Sequence, residues 1–225
     1  MAQRDFHLLI IDPQNDFCDL PVAYCPTDPV LGTPVLPALP VPGAHADMLR
    51  LATLIEHAGH GLRAITLTLD SHQHLDIGHP GFWQHASGEA VAPFTQIRAN
   101  EVRCGNFLPR RASARPRVEA YLAALEAGGR YTHMVWPVHC EIGTWGHNLH
   151  LDLLRALHTW ETAHHTAASR LLKGLNPWTE HYSAVLAEVP DTTDPATQLN
   201  TALLDSLRAA ERIYLAGEAG SHCVK

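Results

Sequence analysis

The stretch Arg212-Ile-Tyr-Leu-Ala-Gly-Glu-Ala-Gly-Ser-His-Cys-Val-Lys225 decides how the chain is read. Arg212 to Ala216 is apolar and strand-like, a small-residue turn follows, and Cys223 stands at its end. A thiol at a strand-to-helix turn is reachable, ringed by backbone N–H groups, and lowered in pKa by a following helix N-terminus. Cys223 is therefore the candidate nucleophile among five cysteines. Cys18, Cys25, Cys104 and Cys140 form no C-x-x-C zinc pattern and read as structural thiols.

The same order, a strand and then a polar cluster, recurs upstream. Phe6 to Ile11 leads into Asp12-Pro-Gln-Asn-Asp16, and Leu62 to Leu69 into Asp70-Ser-His72. Tyr131 to Val135 leads into Trp136-Pro-Val-His-Cys140, and Ser169 to Leu172 into Lys173. Helical spacing fills 46–58, 116–127, 148–162 and 195–210, the last with Asp194 as N-cap. Strands alternating with helices predict an α/β fold: a mostly parallel sheet flanked by helices on both faces, in three α/β/α layers. Ligands in such sheets bind beyond the carboxyl ends of the strands. Residues 20–43 read as a long Pro-rich loop or lid, and 70–115 as mostly irregular chain. No repeat or second domain is visible, so 1–225 reads as one domain.

A length of 225 residues with 46% hydrophobic and 17% charged content describes a globular chain. The net charge of −7 and the lack of a basic block argue against a nucleic-acid surface. No apolar run approaches the ~18 residues of a membrane span. The first eleven residues lack a signal-peptide pattern, and five irregularly spaced cysteines suit reduced thiols, so the expected location is cytoplasmic. Most of the seventeen histidines read as solvated surface residues.

Asp70 and His72, at i and i+2, share one face of an extended segment and offer a carboxylate and an imidazole to a divalent metal. His139 is the best third ligand, with His74 and His79 as further candidates. Asp70 as a turn cap beside solvated histidines is the plainer alternative. Asp12 can take the proton of Cys223 if desolvation raises its pKa, or simply serve the turn before Pro13. Lys173 can hold a developing thiolate or lie on the surface.

Taken in order, these segments resemble the isochorismatase-like cysteine hydrolases, and among them the nicotinamidases. Ile11-Asp-Pro-Gln-Asn-Asp-Phe-Cys18 looks like the opening strand with its catalytic Asp. Leu69-Asp-Ser-His72, with Phe82-Trp83 after it, looks like the metal segment, Ser71 standing where the family carries Trp or Phe. Trp136-Pro-Val-His-Cys140 with Gly143-Thr144 is similar to the nicotinamidase Trp-Pro-x-His-Cys-x-x-Gly-Thr run. Lys173-Gly174, with Tyr182-Ser183-Ala184, looks like the catalytic Lys segment, and Ser221-His-Cys-Val224 like the nucleophile segment.

The resemblance implies catalytic Asp12, Lys173 and Cys223, and amide hydrolysis through a thioester. It implies an oxyanion site at the N–H groups of Ala219 and Cys223, and a cis peptide at Glu218–Ala219. It implies one divalent metal ion held by Asp70, His72 and His139, with His79 as the candidate for a fourth ligand. Zinc comes first, with iron or manganese as alternatives. The implied partner is a small amide, nicotinamide first. A related amide or ureido compound is the alternative, and a catalytically silent binding homologue ranks below both. Self-association is common in the family, so a homo-oligomer is expected. The enlarged 20–43 and 84–115 segments are expected to line the substrate pocket. The family continues past the nucleophile with a helix, a strand and a last helix, which 1–225 lacks. Residues 1–225 alone are therefore expected to be unstable or inactive. A cooperative fold with full amidase turnover from these residues would contradict that.

Overall fold

The computed structural model describes residues 5–225. In chain order the main elements are β1 (Phe6–Ile11), α1 (Ala44–Ala58), β2 (Leu62–Asp70), β3 (Trp83–His85), β4 (Thr95–Ile97), α2 (Ala99–Arg103), β5 (Phe107–Pro109), α3 (Arg115–Gly128), β6 (His133–Val135), α4 (Leu151–His164), β7 (Ser169–Lys173), α5 (Thr201–Arg208) and β8 (Arg212–Gly217). Four strands form the central sheet, all parallel, in the order β7-β2-β1-β8.

Alternation along β2 sorts the two faces. Ile65, Leu67 and Leu69 join Leu8 and Ile10 of β1 on one side. There they meet the apolar stripes of α1 (Met48, Leu51, Ile55) and α4 (Leu153, Leu157, Trp160). Burying each large aliphatic side chain stabilises the fold by roughly 1.5–3 kcal/mol. Trp160 Nε1 donates to the Gly59 carbonyl at 3.0 Å and ties the two helices together. Thr66, Thr68 and Asp70 fall on the opposite face. Thr66 Oγ1 lies 2.8 Å from His7 Nε2. Burial lowers the His7 pKa, and the Ser206 backbone of α5 opposes that shift.

Four expectations are corrected. The segment 131–135 is not a central strand: β6 spans three residues and pairs antiparallel with β4. The segment 70–115 is not mostly irregular. It carries β3, β4, α2 and β5, elements too short to show a period in sequence. Together with α3 and β6 they enclose a second apolar cluster that includes Trp83, Ile97, Val102, Val118, Leu122 and Val135. The helix expected over 195–210 is broken. Asp194 caps a 3-10 turn over Pro195–Thr197, accepting from the Ala196 N–H at 3.0 Å. Thr197 Oγ1 then bonds the Asp191 and Asp194 carbonyls, and α5 starts afresh from Asn200, whose side chain accepts from the Leu203 N–H. Helix α4 begins at Leu151 rather than 148, because Asn148 and His150 pair with the turn after β1.

Seven of the seventeen histidines are buried: His7, His72, His79, His133, His139, His150 and His181. Cys18 and Cys140 are buried thiols as read, whereas Cys25 is half-buried and Cys104 exposed. Among the described residues no helix is long and apolar enough to cross a membrane.

His133 is 1% exposed, packs against the Trp83 and Tyr121 rings, and donates from Nε2 to the Ile77 carbonyl at 3.0 Å. Burial pulls its pKa down to about 4, the Ile77 bond opposing. The unfolded chain then binds the extra proton first as pH falls. The stability from a neutral His133 is whole above about pH 6.5 and lost on descent to about pH 4, by roughly 3 kcal/mol. Urea unfolding from pH 7 to pH 4 should show a shallower decline for His133→Gln, which keeps an N–H donor, than for the native protein. Equal slopes would contradict this assignment.

Candidate active site

Parallel register brings the polar strand ends together. Asp70 and Lys173 are Cα partners across β2 and β7, and Ile11 is opposite Gly217 across β1 and β8. Gly217 has φ +125°, and a Cβ there would overlap the Ile11 backbone, so only glycine permits this approach. Asp12 leaves β1 at φ +45°, a left-handed conformation that Asp tolerates better than most residues. Its N–H is held by Thr68, 3.2 Å from the carbonyl and 3.1 Å from Oγ1.

Lys173 Nζ lies 2.9 Å from Asp12 Oδ2, 3.0 Å from Asp70 Oδ1 and 3.7 Å from Cys223 Sγ. Asp12 is 0%, Lys173 2% and Asp70 6% exposed. Thr68 Oγ1 donates to Asp12 Oδ1 at 2.6 Å. Burial opposes the Lys173 charge, but Asp12, Asp70 and Cys223 outweigh it and hold the ammonium well above the usual range. Burial pushes the Asp12 carboxyl up, with Lys173 opposing and Asp70 adding to the rise. Burial pushes Asp70 the same way, yet Lys173 and His72 win and hold it well below the usual carboxylate range. The Cys223 thiol is raised, not lowered: burial dominates, Lys173 opposes, and Asp12 and Asp70 reinforce the rise. Cys223 is thus a protonated thiol at rest, beside a carboxylate with a raised proton affinity. The Glu218–Ala219 peptide is cis, and Ala219 and Cys223 both line the cavity.

His72, His79 and His139 offer three buried ring nitrogens within 4.8 Å of one another. Asp70 Oδ2 lies 3.3 Å from His72 Nε2 and 3.5 Å from His139 Nε2. His79, the candidate for a fourth ligand, therefore belongs to this group. His74 does not: it is exposed and pairs with Glu141. The donor set fits a divalent first-row metal. His79 Nε2 and His139 Nδ1 face each other at 3.4 Å, while His139 Nδ1 also sits 2.8 Å from the Pro137 carbonyl. Burial disfavours a charged His72, but Asp70 and Asp76 override it and hold its pKa well above 6.5. Burial, then His72 and His139, pull His79 down to about 3. The two carboxylates call for positive charge at this point, and the neighbouring imidazole stays neutral, as a ligand must be.

The cavity above these groups measures about 350 Å³. Phe17 and Leu39–Pro42 form its roof, so the Pro-rich segment lines the pocket as expected. Trp136, Tyr182 and His222 form an aromatic wall, with Trp136 Nε1 donating to Tyr182 Oη at 3.2 Å. The 84–115 segment, expected in the lining, builds the second apolar cluster instead.

Several residues here carried no signal strong enough to be singled out from sequence. Thr68 stands two residues before Asp70 on the same strand face, a period-2 cue that was available. Gln14 clamps Asp70 from both sides, accepting from its N–H at 2.7 Å and donating to its carbonyl at 2.8 Å. Glu180, 3% exposed, reaches the cavity floor with Oε1 unpartnered. Burial raises its pKa to about 8, with His72 opposing and Asp76 and Asp70 adding. No local pattern marks Glu180.

No protein-family model and no curated protein sequence matches the chain. Solved structures do. The yeast nicotinamidase Pnc1p superposes with a TM-score of 0.57 at 22% identity, over 97% of this chain and 77% of that one. The Acinetobacter baumanii nicotinamidase/pyrazinamidase gives 0.56 at 19% identity, over 100% and 75%. PnC1 from L. infantum, solved with nicotinate, gives 0.51 at 19% identity, over 100% and 72%. The chain shares the α/β fold of these proteins.

Removing the Lys173 cation strands two buried carboxylates. Lys173→Met should cost roughly 3–5 kcal/mol at neutral pH. Asp12 and Asp70 must then take protons to stay buried, so the variant's folded state binds more protons than its unfolded state. The deficit should shrink from pH 8 to pH 5. Urea titrations at both pH values check this; a deficit that is absent or that grows on acidification would refute it.

Proposed function

We propose that this protein is a metal-dependent cysteine amidohydrolase that converts nicotinamide to nicotinate and ammonia. The observation that carries the reading is Lys173 Nζ within 3.7 Å of Asp12, Asp70 and Cys223, the last two lining one cavity, beside three clustered imidazoles. The shared fold of nicotinamidase structures supports the same activity. A volume of about 350 Å³ suits a single-ring amide, and the aromatic wall suits a flat ring.

Cys223 Sγ attacks the amide carbon while its proton passes to Asp12, whose raised pKa suits it to accept. The oxyanion faces the N–H groups of Ala219 and Cys223, which no hydrogen bond engages among the described residues. Collapse breaks the C–N bond, Asp12 returns the proton, and ammonia leaves a thioester on Cys223. Water then attacks the thioester, Asp12 takes its proton, and the carboxylic acid departs with the thiol restored. Lys173 favours the ionised forms of Asp12 and Cys223 throughout. Asp70, His72, His79 and His139 would hold the metal, zinc first, which supplies a fixed positive charge for orienting a ring nitrogen or a water. The roof Leu39–Pro42 comes from the enlarged loop, which favours a second reading in which another small amide or ureido compound is the substrate.

Ammonia release from nicotinamide, measured on the full-length protein beside a panel of amides, tests this. Cys223→Ala should lose at least about 10³-fold in kcat, and a chelator should lower turnover. The acid limb of kcat/KM should lie above the ordinary carboxylate range, since protonated Asp12 cannot accept the thiol proton. Release from a different amide would select the second reading; turnover indifferent to Cys223 would end both.

A further inference from the structure

Asp16 takes no part in the chemistry above, yet four hydrogen bonds converge on it. It is 7% exposed. Its Oδ2 accepts from the Cys140 N–H at 2.7 Å, and its Oδ1 from the Ala38 N–H at 3.0 Å. Its carbonyl accepts from the Leu39 N–H at 3.0 Å, and its own N–H donates to the Gly146 carbonyl at 3.1 Å.

These partners belong to two different parts of the cavity. Ala38 and Leu39 lead into the roof, where Leu39 to Pro42 face the ligand space. Cys140 follows His139 directly and has φ +47°, a left-handed conformation unusual for cysteine that its surroundings must hold. A Cβ on Gly146 would overlap the Asp16 carboxylate, so the 140–148 loop is shaped around that group. Each carboxylate oxygen serves one segment. An amide in its place would keep one acceptor and turn an NH₂ donor toward the other N–H.

We propose that Asp16 is a positioning residue that locks the cavity roof to the His139–Cys140 turn. Metal affinity at the histidine cluster and substrate KM then depend on the same carboxylate. The part concerning KM rests on the amidohydrolase reading; the part concerning the metal and the backbone does not.

The test compares the full-length native protein with Asp16→Asn and with Gly146→Ala, which displaces the carboxylate from outside. Amide hydrogen exchange at Ala38 and Cys140 should speed up together in both variants. Zinc titrated into metal-free protein against a competing chelator should bind at least ten-fold more weakly. KM for the amide should rise several-fold with kcat within about three-fold, because Asp12, Lys173 and Cys223 are untouched. Exchange that changes at one amide only, or zinc affinity and KM equal to the native values, would overturn the proposal. If Asp16→Asn does not fold, Gly146→Ala decides by the same readouts. If the native protein releases no ammonia, the amidohydrolase reading fails while exchange and zinc binding still judge Asp16.

Discussion

Lys173 ends β7 with its ammonium 2.9 Å from one carboxylate and 3.0 Å from another, and all three groups are out of water. Each contact is worth about 5 kcal/mol at an effective dielectric near 20, while desolvation costs several kcal/mol per ion. One cation cannot satisfy two buried carboxylates equally. Asp70 also faces His72 and His139, so it stays ionised. For Asp12 burial outweighs Lys173 and the Thr68 hydroxyl, and the Asp70 charge adds to it, so its proton affinity rises. The imbalance makes Asp12 the group able to trade a proton with the thiol, and leaves Asp70 as fixed negative charge beside the imidazoles.

The scaffold produces that imbalance through register and one turn. Parallel pairing sets Asp70 opposite Lys173, and the β2 alternation puts Thr68 on the same face. The turn after β1 then fastens what the strands bring close. Gln14 grips the Asp70 backbone, Asn15 donates to the Trp145 carbonyl at 2.8 Å, and Asp16 reaches the roof and the Cys140 turn. Five consecutive residues thus connect Asp12, Asp70 and the cavity roof.

Much of this was legible in the sequence, for physical reasons. The strands Phe6 to Ile11 and Leu62 to Leu69 are β-rich runs ending in Asp, and they form where read. The site candidates Asp12, Asp70, His72, His139, Lys173 and Cys223 follow strand-like runs, and the fold gathers them at one end of the sheet. His133 to Val135 misled because a short apolar run looks alike in a central strand and in a peripheral ribbon. The break at Thr197–Asn200 was hidden because side-chain bonds to Asp191 and Asp194 end the turn. Glu180 and Asp16 were not legible as site residues. Their importance lies in what stands opposite them across the fold, which one-dimensional spacing does not record.

Acid quenching of a single turnover with carbonyl-labelled nicotinamide, followed by peptide mass analysis, tests the central claim most directly. The account predicts a nicotinoyl thioester on the peptide bearing Cys223, and no label there in Cys223→Ala. Label on a different side chain, or ammonia release at the native rate from Cys223→Ala, would contradict it.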